Sequence, residues 1–141
     1  MSSEATYPFW IRENIRNADT DQFQHVNNAA IASYCEAGRM SLFSEPSLRE
    51  QIGGLNIVVV KLTILFVKEL FYPGEVQVGT RVTSIGNTSF EVSQGLYGSE
   101  GRFATSEATC VMIDRAQRMP SRIPEAVRTL FAQHGSGISR S

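Results

Sequence analysis

The chain has 141 residues, of which 42% are hydrophobic and 19% charged, with a formal net charge of −1. This length suits one domain, and the near-neutral charge excludes the strong positive field with which proteins attract nucleic acid or anionic membranes. No apolar run approaches the roughly 20 residues of a membrane-spanning helix and no signal peptide is evident, so we expect a cytoplasmic protein with no membrane partner.

The first half of the chain predicts a strand, a polar turn and a long helix. Residues 7–17 are rich in aromatic and β-branched side chains, which favour a strand. After the turn, residues 27–45 repeat apolar side chains at helical spacing, and Asn27 or Asn28 can serve as the N-cap. Pro46 is expected to end this helix.

Residues 55–70 predict a long strand whose two faces differ. One face is mixed, whereas the other is apolar throughout: Val58, Val60, Leu62, Ile64 and Phe66. A strand with apolar residues on both faces is covered on both sides. We therefore expect a helix to cover this strand on one side and a partner subunit to cover it on the other.

The second half of the chain continues with strands joined by short turns. Strands are predicted over 75–85, 89–98 and 102–114, as in an antiparallel meander. A short helix is predicted over 123–134, with Pro124 near its first turn, and the tail 135–141 is expected to be disordered. One long helix against an antiparallel sheet predicts a single α+β domain over the whole chain. Both cysteines, Cys35 and Cys110, fall in apolar segments and are expected to be buried free thiols.

The turn before the long helix concentrates polar residues. The stretch "NADTDQFQHVNNAA" contains Asp19, Asp21, His25, Asn27 and Asn28. Helix capping explains part of this pattern, because Asp and Asn side chains accept hydrogen bonds from the unpaired N–H groups of a first turn. Capping alone accounts for two of the five residues, so other functions have to be considered.

Two metal-dependent functions are disfavoured. The two aspartates and His25 have suitable donor atoms, but the Gly and the distal Glu of an EF-hand loop are missing, and the only other histidine is His134. Phosphoryl transfer through an aspartate would need Mg²⁺ and further carboxylate and lysine partners, and it usually occurs on a parallel sheet. We therefore predict no metal site.

After helix capping, a metal site and phosphoryl transfer, the remaining interpretation of the turn is hydrolysis of an ester or thioester. This chemistry needs a carboxylate that attacks the carbonyl or activates water. It also needs N–H donors aimed at the developing oxyanion, and a helix N-terminus supplies such donors together with a favourable dipole. The turn at residues 19–28 puts a carboxylate just ahead of a helix N-terminus, so both groups can converge on one carbonyl.

The segment "DTDQFQHVNNAAIASYCEAGR" resembles the Asp-x-Asp-x-x-x-His-Val-Asn-Asn signature of hotdog-fold acyl-CoA thioesterases of the 4-hydroxybenzoyl-CoA thioesterase-like family. The segments "FVKELFYPGEV", "IGNTSFEVSQGLYGSEGRFATSEATCVMID" and "RMPSRIPEAVR" are also similar to that family, so the resemblance extends over roughly residues 9–131. It implies a five-stranded antiparallel sheet wrapped around one long helix, with a short C-terminal helix. It also implies homodimers or homotetramers with active sites at the subunit interface.

The resemblance implies catalytic roles for four residues of the turn. Asp21 matches the catalytic carboxylate, acting as nucleophile or general base, and the N–H near Asn28 matches the oxyanion donor. His25 and Asn27 match positions that line the pocket, whereas Asp19 matches a position that fixes the turn. No cofactor is implied, because coenzyme A is part of the substrate.

Five further residues are candidates for substrate contacts. Thr88, Ser89 and Ser106 would contact the pantetheine or the pocket from the partner subunit. Arg118 and Arg122 would meet the phosphates of coenzyme A through charge-assisted pairs, although a solvated surface charge explains each arginine more simply. The sequence leaves open the acyl chain, the choice between coenzyme A and acyl-carrier protein, and the choice between dimer and tetramer.

Three positions qualify the resemblance. Glu36 has Arg39 at i+3 and is expected to form an ion pair with it, although a helix carboxylate is catalytic in some other hotdog branches. Much of the related group has Gly at the position of Gln24, and bulkier side chains along the helix. The alternative function is a hotdog module that binds an acyl group or a partner without hydrolysis, since a fold does not imply a chemistry.

Overall fold

The computed structural model describes residues 7–133 and the backbone of 139–140. A 3₁₀ turn at Asn17–Asp19 follows the first strand. The other elements, in chain order, are β1 (Phe9–Asn14), α1 (Asn28–Phe43), α2 (Pro46–Ile52), β2 (Leu55–Phe66), β3 (Glu75–Ile85), β4 (Ser89–Gly98), β5 (Gly101–Asp114), β6 (Met119–Pro120), α3 (Glu125–Gln133) and β7 (Ser139–Arg140).

Five strands form one antiparallel sheet in the order β1-β3-β4-β5-β2. The two-residue strand β6 pairs with β5, and the backbone of β7 runs parallel to β3. The long helix α1 lies against β1, β3 and β4, while the short helix α3 packs beside α2. The predicted α+β hotdog class, with a sheet around one long helix and a short C-terminal helix, is confirmed.

The sequence of α1 explains its close approach to the sheet. Its buried side includes Ile31, Cys35 and Leu42, which share one helical face. Gly38 sits where the helix meets the sheet, and a Cβ there would come within 2.6 Å of the Val78 and Gln94 side chains. Glycine therefore lets the helix backbone lie closer to β3 and β4 than any larger residue would.

The helix α2 was not predicted. Pro46 was expected only to end the preceding helix, but it also occupies the first turn of α2, where its missing N–H costs nothing. The Glu45 side chain caps α2 by accepting a hydrogen bond from the Leu48 backbone N–H at 3.3 Å. Residues expected to form a loop therefore form a seven-residue helix.

The strand β2 ends at Phe66, four residues earlier than predicted, and its faces differ from the prediction. A bulge between Val59 and Lys61 shifts the alternation, so Val59 lies opposite buried Cys110, and Leu62 lies opposite buried Ala108. Ile57 and Val59 thus share the helix-facing side with Leu62, and the placing of Val58 and Val60 on that side was wrong.

The outer edge of β2 pairs with no strand among the described residues. Large apolar side chains are exposed along this strand, including Val60 at 60% and Leu65 at 63% of their surface. The predicted second cover is therefore not supplied by the described part of this chain. An unpaired apolar strand of this length is a template for pairing with another chain.

The predicted disordered tail at 135–141 lies outside the described residues, except for Ser139 and Arg140, whose backbones pair with Ser84 and Ile85. None of the helices within residues 7–133 combines the length and the apolar character that crossing a bilayer requires.

Candidate active site

Asp19 fixes the chain between β1 and α1. The side chain is 5% exposed and accepts hydrogen bonds from the backbone N–H and the guanidinium of Arg16 and from the Tyr34 hydroxyl. Burial by itself raises the pKa of Asp19, but the hydrogen bonds from Arg16 and Tyr34 outweigh burial and leave this pKa lowered. The pKa of Tyr34 is raised by its burial and by its hydrogen bond to Asp19.

Asp21 lies at the exposed tip of a small hairpin closed by a bridge between Thr20 and Val26. Its Oδ1 accepts hydrogen bonds from the backbone N–H groups of Phe23 at 2.8 Å and His25 at 3.1 Å. These two bonds fix the direction of the carboxylate. Among the described residues no donor reaches its other oxygen, Oδ2, which is therefore open to a substrate.

Gln24 occupies the left-handed region of the hairpin, with φ of 68°. Only glycine adopts this conformation without steric cost. The glycine expected at this position in related sequences therefore has a physical reason, and Gln24 holds the same turn at some cost in stability.

The start of α1 presents unused N–H groups beside the hairpin. Asn27 is the N-cap, and its side-chain oxygen accepts a hydrogen bond from the Ala30 N–H at 2.8 Å. Within residues 7–133 the N–H groups of Asn28 and Ala29 form no hydrogen bond. They point out of the positive end of the helix dipole, which favours a developing negative charge.

The four residues predicted as catalytic, Asp21, His25, Asn27 and Asn28, line a single cleft of about 500 Å³. The opposite wall was not predicted and comes from the end of β2 and the segment after it. The remaining lining residues are Val26, Ile31, Phe66, Val67, Lys68, Glu69 and Leu70. The Val26 N–H donates to the Leu70 carbonyl at 2.8 Å, which fastens the two walls together.

His25 is oriented by the opposite wall and not by Asp21. Its Nδ1 lies 3.4 Å from Glu69 Oε2, and its ring meets the edge of Phe71 with centroids 4.7 Å apart. Lys68 and Glu69 were missed as site residues because they are distant from the turn in sequence. The only signal was the family likeness of the segment that contains them.

The five predicted substrate contacts lie away from this cleft in the same subunit. Thr88 and Ser89 lie at the turn between β3 and β4, and Ser106 is buried beneath α1. Arg118 lies in the turn after β5, whereas Arg122 already donates to Asn87 Oδ1 at 2.8 Å and to Glu125 Oε2 at 3.1 Å.

The predicted ion pair between Glu36 and Arg39 was wrong. Glu36 is exposed, whereas Arg39 is buried and donates to Gln94 Oε1 at 3.5 Å. The two side chains leave the helix on different sides, so their spacing of three residues does not bring them together. Within the described residues no group of three or more His, Cys, Asp and Glu side chains is placed to hold a metal ion.

A family model described as the thioesterase-like superfamily matches residues 15–131. The chain is 30% identical over 127 residues to the chloroplastic acyl-acyl carrier protein thioesterase ATL2 of Arabidopsis thaliana, and the match covers 86% of this chain. It covers 66% of the length of that relative.

Solved structures show the same architecture. A thioesterase from Thermus thermophilus, complexed with coenzyme A and Zn, has a TM-score of 0.80 and 26% identity, with 92% of this chain and 95% of that chain covered. A predicted thioesterase from Bacillus stearothermophilus has a TM-score of 0.80 and 24% identity, covering 91% and 96% of the two chains. The second likeness is evidence for the fold alone.

Proposed function

The chain belongs to the thioesterase-like superfamily, a group of thioester hydrolases, and we propose that it hydrolyses acyl-CoA to a free acid and coenzyme A as a member of the 4-hydroxybenzoyl-CoA thioesterase-like branch. The observation that carries the proposal is the meeting of the Asp21 carboxylate and Asn28, whose N–H group is unused, at one cleft. The unused N–H group of Ala29 is the next one along the same helix end. No cofactor takes part in the reaction that we propose.

In the proposed reaction, the substrate carbonyl oxygen accepts hydrogen bonds from the Asn28 and Ala29 N–H groups. These donors stabilise the tetrahedral oxyanion, and one such donor is typically worth about 100- to 1,000-fold in rate. Asn27 keeps the helix end in place by capping Ala30. His25, held by Glu69, orients the thioester or the water.

Asp21 has two possible roles at the carbonyl. As a nucleophile, Oδ2 attacks the carbonyl carbon, the C–S bond breaks, the thiolate of coenzyme A leaves and takes a proton, and water then hydrolyses the acyl anhydride on Asp21. As a general base, Asp21 removes a proton from the water that attacks. Both roles need a carboxylate oxygen that accepts no other hydrogen bond, and Oδ2 of Asp21 meets that requirement among the described residues.

One likeness supports coenzyme A as the thiol carrier, because the thioesterase from Thermus thermophilus was solved with coenzyme A. The Arabidopsis relative is instead named for acyl-carrier protein. We propose that Arg118 of a partner subunit contacts the phosphates, in preference to Arg122, which Asn87 and Glu125 already occupy.

We propose that β2 pairs with a second copy of the chain to form a homodimer, or a homotetramer built from such dimers. The unpaired outer edge of β2 and the exposed Val60 and Leu65 support this assembly. Thr88 and Ser89 remain proposed contacts from the partner, and the cytoplasm remains the proposed location. A sedimentation mass of two or four chains is expected, and a single-chain mass would contradict the assembly.

Release of free thiol from benzoyl-CoA, short-chain and long-chain acyl-CoA tests the activity. We expect hydrolysis of at least one, reduced about 100- to 10,000-fold in Asp21→Ala because the attacking group is lost. Asp114→Ala is the matched control, since Asp114 Oδ1 also accepts two backbone N–H groups, from Ala116 and Gln117. Its turnover should stay close to that of the wild type.

Three results would change the proposal. Undiminished turnover in Asp21→Ala would remove Asp21 as the catalyst. Hydrolysis of no acyl-CoA, combined with tight binding of one, would favour the alternative of a non-catalytic binding module. A chelator should leave turnover unchanged, and strong inhibition by it would favour a metal-dependent reaction.

A further inference from the structure

A second cleft lies at the opposite end of β2 from the candidate active site. It has a volume of about 440 Å³ and is lined by the end of α1, by α2, by the start of β2 and by Arg115 after β5. The catalytic cleft, in contrast, is bordered by Phe66 and Val67, at and just after the end of β2. We call the second cleft the arginine cleft, because Arg49 and Arg115 line it, and its size suits a small organic ligand.

The arginine cleft has positive charge that the described residues do not neutralise. Arg49 and Arg115 are exposed, and among the described residues neither side chain forms a hydrogen bond or an ion pair. None of the described residues that line the cleft has a carboxylate. The Oδ1 atom of the adjacent Asp114 accepts two backbone N–H groups of the turn after β5. The cleft therefore favours an anionic ligand.

A third arginine lies beside the arginine cleft. A smaller cleft of about 220 Å³ shares Asn56 and Arg115 with it and is also lined by Asp114 and Arg118. Arg118 has a φ of 57°, a left-handed conformation that costs free energy in a residue with a Cβ and that clusters at ligand-binding sites. Three guanidiniums on adjoining clefts suit an anion with several phosphate groups, since an arginine pairs with a phosphate through two N–H bonds.

The apolar part of the arginine cleft suits a planar ring. Phe43, Leu55 and Ile57 line it and are only partly buried. An aromatic side chain of this kind can stack on the flat face of a nucleobase. Ser44 and Asn56 add polar groups to the same lining. An apolar surface next to unpaired guanidiniums matches the two parts of a nucleotide with several phosphates.

The catalytic cleft lacks the groups to hold such an anion by itself. Its lining includes the carboxylates of Asp21 and Glu69, and Lys68 is the only lysine or arginine in the part of the lining that the structure describes. The Lys68 ammonium already donates to the Glu100 carbonyl at 2.7 Å. The phosphates of an acyl-CoA would therefore meet more negative than positive side chains there, which is unfavourable. The nucleotide end of that substrate needs positive groups from elsewhere.

The proposed pairing of two β2 strands brings the two kinds of cleft together. The five long strands of the sheet are all paired antiparallel, and an antiparallel pair of β2 strands would continue this order. The start of β2 in one copy, at Leu55, then lies beside the end of β2 in the other copy, at Phe66. Each arginine cleft is thereby brought towards the catalytic cleft of the other copy, and twofold symmetry gives two such sites.

We infer that the arginine cleft of one copy binds the nucleotide end of an acyl-CoA whose thioester lies in the catalytic cleft of the other copy. This inference rests on the proposed function and on the proposed assembly. Arg49 and Arg115 pair with the phosphates, Phe43 stacks on the base, and Arg118 lies at the edge of the same site. The phosphopantetheine of an acyl-carrier protein has one phosphate and no base, so this site favours coenzyme A as the thiol carrier.

Kinetics with and without the nucleotide test the site. The acyl-CoA that is hydrolysed fastest is compared with the pantetheine thioester of the same acid. The wild type should prefer the acyl-CoA about 10- to 100-fold in kcat/KM, mainly through KM, as charge-assisted hydrogen bonds provide. The double variant Arg49→Met/Arg115→Met should lose this preference, whereas Arg12→Met, at an exposed arginine of β1, should retain it. An unchanged preference in the double variant would overturn the inference.

A mixed dimer tests whether the two clefts belong to different copies. Chains with Asp21→Ala and chains with Arg115→Met are co-expressed with different affinity tags, and the mixed dimer is purified. If the site is shared, the intact Asp21 of one chain works with the intact Arg115 of the other, and the KM for acyl-CoA should return to the wild-type value. A KM equal to that of Arg115→Met alone would overturn the sharing of the site.

Binding of a nucleotide without a thioester separates this inference from the proposed activity. Calorimetry with adenosine 3′,5′-bisphosphate should show binding to the wild type, and binding about 10- to 100-fold weaker to Arg49→Met/Arg115→Met. This result is expected even if no acyl-CoA in the panel is hydrolysed. The same nucleotide should raise the KM for acyl-CoA by competition. Binding without competition would assign the cleft to a free nucleotide and overturn its link to the substrate, and absence of binding would overturn the nucleotide site.

Discussion

Asp19 and Asp21 stand two positions apart in one turn, and the turn gives them opposite surroundings. Asp19 is buried and accepts hydrogen bonds from Arg16 and Tyr34 on both of its oxygens. Asp21 is exposed and uses one oxygen for two backbone N–H groups. The number of hydrogen-bonded oxygens, and not the residue type, therefore separates a structural carboxylate from one that can react.

The largest expected effect is on turnover, and it should follow a change at Asp21. Asp21→Asn should lower turnover about 100- to 10,000-fold, because an amide can neither attack the carbonyl nor remove a proton. The amide oxygen still accepts the Phe23 and His25 N–H groups, so the free energy of unfolding should change by less than about 0.5 kcal/mol. Thiol release and urea denaturation measure the two quantities, and a large loss of stability would contradict the division of roles.

The same substitution at Asp19 should lower the stability of the fold. Asp19→Asn is expected to lower the free energy of unfolding by about 2 to 3 kcal/mol, since hydrogen bonds to a buried charge are lost. Tyr34→Phe removes a single donor to the same carboxylate and should cost about 1 to 2 kcal/mol. Chemical denaturation measures both variants, and unchanged stability in both would show that Asp19 does not hold the turn.

The Asp19 carboxylate should also make the stability of the protein depend on pH. The pKa of Asp19 is lowered in the folded protein, so its contribution is fully present above the unfolded pKa of about 3.9. The contribution is lost as the pH falls through the folded pKa, because the unfolded chain then binds the proton more readily. Denaturation at a series of acidic pH values should show a shallower loss in Asp19→Asn than in the wild type, and equal slopes would contradict this assignment.

The smallest expected effect concerns the backbone between the aspartates and the helix. Gln24→Gly should raise the free energy of unfolding by about 0.5 to 1 kcal/mol, because glycine adopts a positive φ without steric cost. Gln22→Gly, in the same hairpin at an ordinary φ, is the matched control and should not stabilise the protein. Thermal denaturation of both variants measures the difference, and stabilisation by the control alone would contradict the explanation.

Much of the fold could be predicted because local pattern and tertiary structure agree. The strands β3 and β4 have the predicted bounds, since their alternating apolar residues end at turns with Gly and Asn. The helix α1 was predicted to within two residues at its C-terminus because its apolar face is periodic. The clustering of the site residues could be anticipated, as all four candidates lie in one turn.

The remaining features depend on contacts that no local pattern carries. The bulge at Val60 lies in a continuous apolar run, so nothing in the alternation marks it. The helix α2 is too short to show a period, and Pro46 is compatible both with a helix end and with a helix start. The contact of His25 with Glu69, and the burial of Arg39 on the side of α1 that faces Gln94 of the sheet, depend on how distant segments pack.

The unpaired edge of β2 links the stability of this protein to its concentration. If a second chain covers the edge only in the assembled state, mass action favours the folded assembly, and the unfolding midpoint rises as the protein is concentrated. Dilution would expose a valine-rich strand of 12 residues whose backbone can pair with any similar strand. Assembly would then protect the chain against aggregation, in addition to any part that it has in forming the active site.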